Sequence, residues 1–364
     1  MRRLTQIAVC LVATVFAACS EQSVVRDTEP IYTPRYAKGF SIERDRISGV
    51  KLLCIRNPWQ GAKDVLYYTE IDSLAPPKRI VAMSSSHAAM LDAVECSNRI
   101  VGLSGCRFVY NPTLCQAIDE GAICEVGYDS AFDFEKIKAL NADLVMLYGV
   151  ASEAKAMTDK LEELGIPYIY IGDYLEADPL GKAEWVVALA TLCGVEERGL
   201  SFFASVEDRY NALRNTQHCS AYKPRVMLNL PYRDTWFMPS KQSYMVRLIE
   251  DAGGQYIYPQ NTSSTSTPIS LEEALMFAMQ ADFWLNLGQT ASLEELKAVA
   301  PRFAEVDAVR FGRIYNNTKR TTESRGSDFW ESGAIRPDII LEDLVKLLHY
   351  EAPTDSLYYY KRLE

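Results

Sequence analysis

The chain has 364 residues, 48% of them hydrophobic and 24% charged, with 19 glycines and 16 prolines; this ordinary globular composition excludes a collagen-like or wholly disordered chain. At about 150 residues per domain, the length predicts two domains with a core each. The 48 acids against 38 bases give a net charge of −10, which argues against a nucleic-acid binder, and the three dispersed histidines, His87, His218 and His349, argue against an all-histidine metal site.

Arg2 and Arg3 precede a short apolar run, Ile7 to Ala18. A bilayer span needs about 20 apolar residues, so this run reads as a signal peptide. It ends Phe16-Ala17-Ala18-Cys19. Small residues before a cysteine resemble a bacterial lipobox, which implies cleavage before Cys19 and lipid on its sulfur and amine. Residues 1–18 are then a lipoprotein signal peptide and 19–35 a polar tether. An ordinary signal peptide with an incidental cysteine is the plainer reading. Seven further cysteines follow: Cys54, Cys96, Cys106, Cys115, Cys124, Cys193 and Cys219. An exported chain permits disulfides, an odd count leaves one thiol over, and the close spacing of Cys106, Cys115 and Cys124 suits one pair among them.

Residues 36–75 carry two strand-like runs, 50–55 and 65–68, around Asn57-Pro58-Trp59-Gln60-Gly61, which predicts an N-terminal β-hairpin. Strands and helices then alternate. Residues 79–83, 100–103, 144–147 and 167–171 read as strands; 88–94, 133–140 and 152–164 read as helices. Such alternation predicts a mainly parallel sheet and bounds a first lobe at 76–177. Residues 178–217 show no strand signal. Trp185, Val186, Leu189 and Leu192, then Phe202, Val206, Tyr210 and Leu213, recur at helical spacing on either side of Gly194. The second helix, of some 20 residues, would reach about 30 Å and serve as a stiff connection. The alternation restarts at 218–364: strands at 225–230, 283–287 and 313–315, helices at 244–252, 271–279, 293–300 and 337–349, and a polar loop at 261–268. Phe134-Glu135-Lys136-Ile137 before Ala142-Asp143-Leu144-Val145 is echoed by Leu271-Glu272-Glu273-Ala274 before Ala281-Asp282-Phe283-Trp284, with two extra residues between.

Several segments carry a family likeness. They are Arg79 to His87, Asn98-Arg99-Ile100-Val101-Gly102, Val126-Gly127-Tyr128, Phe134 to Val145, and Arg336-Pro337-Asp338-Ile339-Ile340-Leu341-Glu342-Asp343-Leu344. In their order and spacing the chain resembles, over about residues 78–350, the periplasmic binding proteins of ABC importers for iron-siderophores, haem and vitamin B12. The resemblance implies an α/β fold of two Rossmann-like lobes with central, mainly parallel sheets, bridged by a long α-helix. The N-terminal β-hairpin is an addition to that pattern. It further implies a ligand in the cleft between the lobes, no resident cofactor and no catalysis, and delivery to ABC permease and ATPase subunits by a monomer that is periplasmic and lipid-anchored to the membrane. The helical bridge implies modest cleft motion.

Ligands of open α/β sheets bind outside the carboxyl ends of the strands. The loops there carry the candidate ligand-binding residues Ser85, His87, Arg107, Tyr110, Tyr148, Tyr232, Trp236, Arg320, Arg325 and Trp330. Flat aromatics with a few cations suit a bulky chelate: an iron-siderophore first, with cobalamin or haem as alternatives. A helix-start role for His87, and core or surface roles for the aromatics, are the plainer readings. The resemblance also implies one permease-docking glutamate per lobe. These are Glu135 and Glu272, with Glu273 an alternative to the latter. Two other classes compete. One is a surface lipoprotein that captures ligand without a permease. The other is an unrecognised hydrolase. For the second, Gly102-Leu103-Ser104-Gly105-Cys106 lacks the last glycine of a nucleophile elbow, and no phosphate-binding glycine motif is present.

Overall fold

The computed structural model describes residues 26–72, 75–128, 131–149, 151–215, 222–349 and 353–364. The signal segment with Cys19, and the stretch holding His218 and Cys219, lie outside the described residues. Among the described residues no helix is long and apolar enough to cross a membrane.

The first lobe is built on a five-stranded, all-parallel sheet. Its order is Tyr168–Tyr170, Leu144–Leu147, Ile80–Ala82, Ile100–Leu103 and Cys124–Glu125. The three central strands are continuous apolar runs buried along their length, as a sheet covered on both faces requires. The second lobe repeats the plan with Gln255–Tyr256, Arg225–Leu228, Phe283–Leu285 and Ile314–Asn316 in parallel. Lys361–Arg362 closes it as an antiparallel edge. In each sheet the chain starts at a central strand, runs to one side, and returns to the other flank of that strand. The order therefore reverses between Ile80–Ala82 and Leu144–Leu147 in lobe 1, and between Arg225–Leu228 and Phe283–Leu285 in lobe 2.

Two helices form the bridge, Pro179–Leu192 and Glu196–Arg214, turning at Gly194. The first is apolar on every side and buried almost throughout, so it is interior. It packs on helix Ser85–Ala93 of lobe 1, while the second lies against the C-terminal helix Pro337–His349 of lobe 2.

The N-terminal addition is larger than the two strands read from the sequence. Lys51–Arg56 and Leu66–Glu70 form the expected hairpin, but Thr28–Tyr32 and Phe40–Asp45 extend it to a four-stranded antiparallel sheet. Residues 28–32, expected as tether, are thus an edge strand; an exposed edge carries little apolar signal. Two buried carboxylates, one on the bridge and one just before it, fix the turn that follows. Glu184 accepts the N–H groups of Arg35, Tyr36 and Ala37, each at 2.8 Å, and the Tyr32 hydroxyl at 2.7 Å. Glu176 accepts the N–H of Lys38 and of Gly39 at 2.8 and 2.9 Å.

Other differences are local. Thr267–Ser270, the end of the loop read as polar coil, pairs antiparallel with Thr235–Met238. Helix Pro112–Asp119 has a legible start in its Asn111 cap and first-position proline. Cys106, Cys115 and Cys124 are free thiols, as are Cys54, Cys96 and Cys193, so the pair expected among the first three is not formed.

Candidate functional site

A cavity of about 440 Å³ opens at the reversal point of the first sheet. Its floor comes from the residues directly after the central strands. Met83 and Ser84 follow Ile80–Ala82, and Tyr148 follows Leu144–Leu147. Ser84 caps helix Ser85–Ala93: its hydroxyl accepts the Ser86 N–H at 3.2 Å. The helix therefore presents Ser84 and Ser85 and its positive end to the cavity. Tyr148 stands against Tyr174, their ring centres 4.3 Å apart.

One side wall is made by Ser104, Gly105, Phe108, Tyr128 and Phe132. A single carboxylate shapes it. Glu125 accepts the N–H groups of Gly105, Cys106 and Gly127 at 3.0, 2.7 and 2.9 Å. Gly105 holds φ +73°, and a Cβ there would stand 2.8 Å from the Tyr128 ring, so only glycine lets that ring close down. Phe108 and Tyr128 lie 5.0 Å apart. Arg107 spreads over both, 4.6 and 5.7 Å from their centres.

The second lobe closes the cavity with Arg325, Ser327 and Trp330, all from the loop after strand Ile314–Asn316. Trp330 is 56% exposed and meets Phe329 edge to face. Five aromatic rings, four serines and one guanidinium therefore face a common space between the lobes. Such a surface holds a bulky apolar body with an anionic or polar edge. Among the described residues no group of three or more histidine, cysteine, aspartate or glutamate side chains is gathered to hold a metal ion.

Of the residues singled out from sequence, Ser85, Tyr148, Arg325 and Trp330 line this cavity. Arg107 stands behind it, against Phe108 and Tyr128. Tyr110 and Arg320 meet each other beside it: the Arg320 guanidinium lies 4.8 Å from the Tyr110 ring and is paired with Asp328 at 2.5 Å. Tyr232 is 64% exposed on a turn, with Arg233 over its ring, and does not line the cavity. Two expectations are corrected. Trp236 is core: it is fully buried against Trp284 and Phe303, with its indole N–H on the Leu228 carbonyl at 3.0 Å. His87 is also core, its Nε2 3.9 Å from Asp173; burial pushes its pKa down to about 4, which leaves the ring neutral. Phe108, Tyr128 and Phe132 were missed as contacts. Val126-Gly127-Tyr128 stood out in the sequence, but nothing local says that the Gly127–Tyr128 and Ala131–Phe132 strand pair folds back over Gly105.

The two glutamates expected to dock occupy matching places. Glu135 is the second residue of helix Phe134–Ala139, capped by Asp133; Glu272 is the second residue of helix Leu271–Ala278, capped by Ser270. Each helix leads into a central strand of its lobe. Both side chains are exposed, and Glu272 pairs with Arg302 at 2.7 Å. Helix position thus aligns Glu272, rather than Glu273, with Glu135.

Residues 80–321 match a family model described as periplasmic binding protein. An uncharacterised lipoprotein of Methanocaldococcus jannaschii is 28% identical over 287 residues, covering 76% of this chain and 66% of that protein, just under two thirds of its length. Among solved structures, a periplasmic haem-binding protein of Pseudomonas aeruginosa superposes with a TM-score of 0.60 at 18% identity, over 79% of this chain and 98% of that one. A periplasmic vitamin B12 binding protein of Vibrio cholerae superposes with a TM-score of 0.53 at 16% identity, over 76% of this chain and 98% of that one.

Proposed function

The chain belongs to the periplasmic binding protein family, and we propose that it is the lipid-anchored substrate-binding component of an ABC importer, capturing an iron-siderophore or a similar metal-organic complex between its lobes. The observation that carries this reading is the inter-lobe cavity, whose aromatic walls and single Arg325 guanidinium suit a flat or bulky chelate with an anionic edge. The serines at the start of helix Ser85–Ala93 add donors for the same edge. Cobalamin and haem present related surfaces and are the alternatives within this class. The Ala18-Cys19 junction supports anchoring through lipid on Cys19, and the lipoprotein relative agrees with it. Glu135 and Glu272, one at the start of an equivalent helix in each lobe, would form a two-point clamp for a basic permease surface.

The test is a titration of the mature chain with ferric hydroxamates, ferric catecholates, cobalamin and haem, followed by tryptophan emission. Saturable quenching by a ferric siderophore at micromolar or tighter affinity is the expected result. Saturation by cobalamin or haem alone would replace the named cargo. A folded protein that answers none of them would overturn the reading.

A further inference from the structure

One buried carboxylate crosses between the lobes beside the cavity. Glu331 follows Trp330 on the loop after strand Ile314–Asn316 and is 1% exposed. Its Oε2 accepts the Tyr110 N–H at 2.8 Å and its Oε1 the Asn111 N–H at 2.9 Å. Both donors belong to lobe 1. Asn111 is itself held there as the cap of helix Pro112–Asp119, and its Nδ2 donates to Asp92 at 2.8 Å. The same loop touches lobe 1 twice more. Arg320 lies over the Tyr110 ring, and Gly326 approaches Phe108 so closely that a Cβ would stand 2.4 Å from the Phe108 carbonyl oxygen. Arg325, Ser327 and Trp330, the lobe 2 lining of the cavity, lie between Arg320 and Glu331 on this one loop.

We propose that Glu331 is a positioning residue: bonded across the cleft to two main-chain N–H groups, it latches the loop to lobe 1 and so places Arg325 and Trp330 in the cavity. Its importance for binding rests on the reading of the cavity as the ligand site, but the latch itself is measurable without ligand. Removing the carboxylate from this buried position takes the acceptor from both N–H groups.

The latch responds to protons. Burial pushes the Glu331 carboxyl up to about 7, against the two N–H donors, which lower it. The groups facing it are Asp328 on its own loop, Asp92 on helix Ser85–Ala93 and the Cys115 thiol on helix Pro112–Asp119; Arg320 is engaged with Asp328. A carboxyl whose pKa is higher in the latched state than when exposed binds its proton more tightly when latched. The latch is therefore firmest in acid and loosens as pH rises through about 7.

Amide hydrogen exchange of the segment holding Tyr110 and Asn111 tests this in the full mature chain without ligand. Rates are corrected for the intrinsic effect of pH. Glu331→Ala should lower protection of these two amides by about tenfold, the scale of the net contribution of a buried hydrogen bond. Gly326→Ala should do the same by wedging the loop off Phe108. Wild-type protection should fall between pH 6 and 8, and Glu331→Gln should abolish that dependence while keeping part of the protection. Trp330 emission, taken as a difference from a Trp330→Phe background, should shift in Glu331→Ala. Where Glu331→Ala does not fold, Glu331→Gln and Gly326→Ala carry the test. Unchanged protection in folded variants, or the same pH dependence in Glu331→Gln as in wild type, would overturn the proposal. Because no ligand is used, these outcomes stand apart from failure of the cargo titration.

Discussion

The two lobes share one sheet plan, yet they serve the cavity very differently. Lobe 1 lines it from five separate segments: the loops after three strands, the strand pair that carries Tyr128 and Phe132, and helix Ala151–Glu163 through Met157. Lobe 2 contributes one loop. Its large aromatics, Trp236, Trp284 and Phe303, instead pack on each other in the interior. The reason is local. The segment after Arg225–Leu228 does not end as a free loop; it enters the strand Thr235–Met238, where alternate residues face inward, so Trp236 and Met238 are buried and Phe237 is 45% exposed. Repeating a scaffold does not repeat its rim. Whether an aromatic after a strand becomes wall or core depends on whether its backbone pairs again.

Where the lobes match, at the two glutamates, the effect expected is on transport. Charge reversal at Glu135 or Glu272 should leave ligand affinity unchanged and reduce uptake by cells about tenfold each, a change worth about 1.4 kcal/mol. Uptake that survives both reversals would favour ligand capture without a permease. Next is the pair of tryptophans. Trp236→Ala should cost about 3–5 kcal/mol of stability by denaturant titration, because it opens the lobe 2 core. Trp330→Ala should cost under about 0.5 kcal/mol, as for an exposed side chain. Equal costs would break the contrast between wall and core.

Acid offers a third test. His87 has a folded-state pKa lowered to about 4 by burial, so the unfolded chain binds its proton first. Its contribution is fully present above pH 6.5 and is lost as pH falls through about 4. The loss is on the order of 3 kcal/mol, and His87→Gln should flatten it. Glu331 has the opposite sign: its contribution is present below pH 4.5 and is lost as pH rises through about 7. Stability of the single variants against pH separates the two. A more local effect is expected at Gly105. Gly105→Ala, at φ +73°, should cost about 1–2 kcal/mol, with Tyr128 displaced from the cavity.

Much of this plan is legible in the sequence, because buried parallel strands are continuous apolar runs and their helices carry caps. Ile80–Ala82, Leu144–Leu147 and Phe283–Leu285 stand out for that reason. Thr28–Tyr32 and Thr267–Ser270 do not, since each lies at a sheet edge with mixed polarity. At the site, Tyr148 and Trp330 are legible as aromatics just beyond strands. Phe132 and Gly105 depend on how a distant strand pair folds back. Glu331 is invisible for a deeper reason: its donors, Tyr110 and Asn111, lie more than 200 residues away. His87 misled because its position beside Ser84 and Ser85 suits a cavity as well as a helix interior, and only the turn of the helix decides.

The central claim is that the cavity between the lobes holds the cargo. The most direct measurement is a parallel titration of wild-type and Trp330→Phe protein with the ferric siderophore that wild type binds, read by both calorimetry and tryptophan emission. With the cargo in the cavity, Trp330→Phe binds within a few-fold of wild type and loses most of the quenching. Undiminished quenching in Trp330→Phe would place the ligand elsewhere on the molecule and contradict that claim.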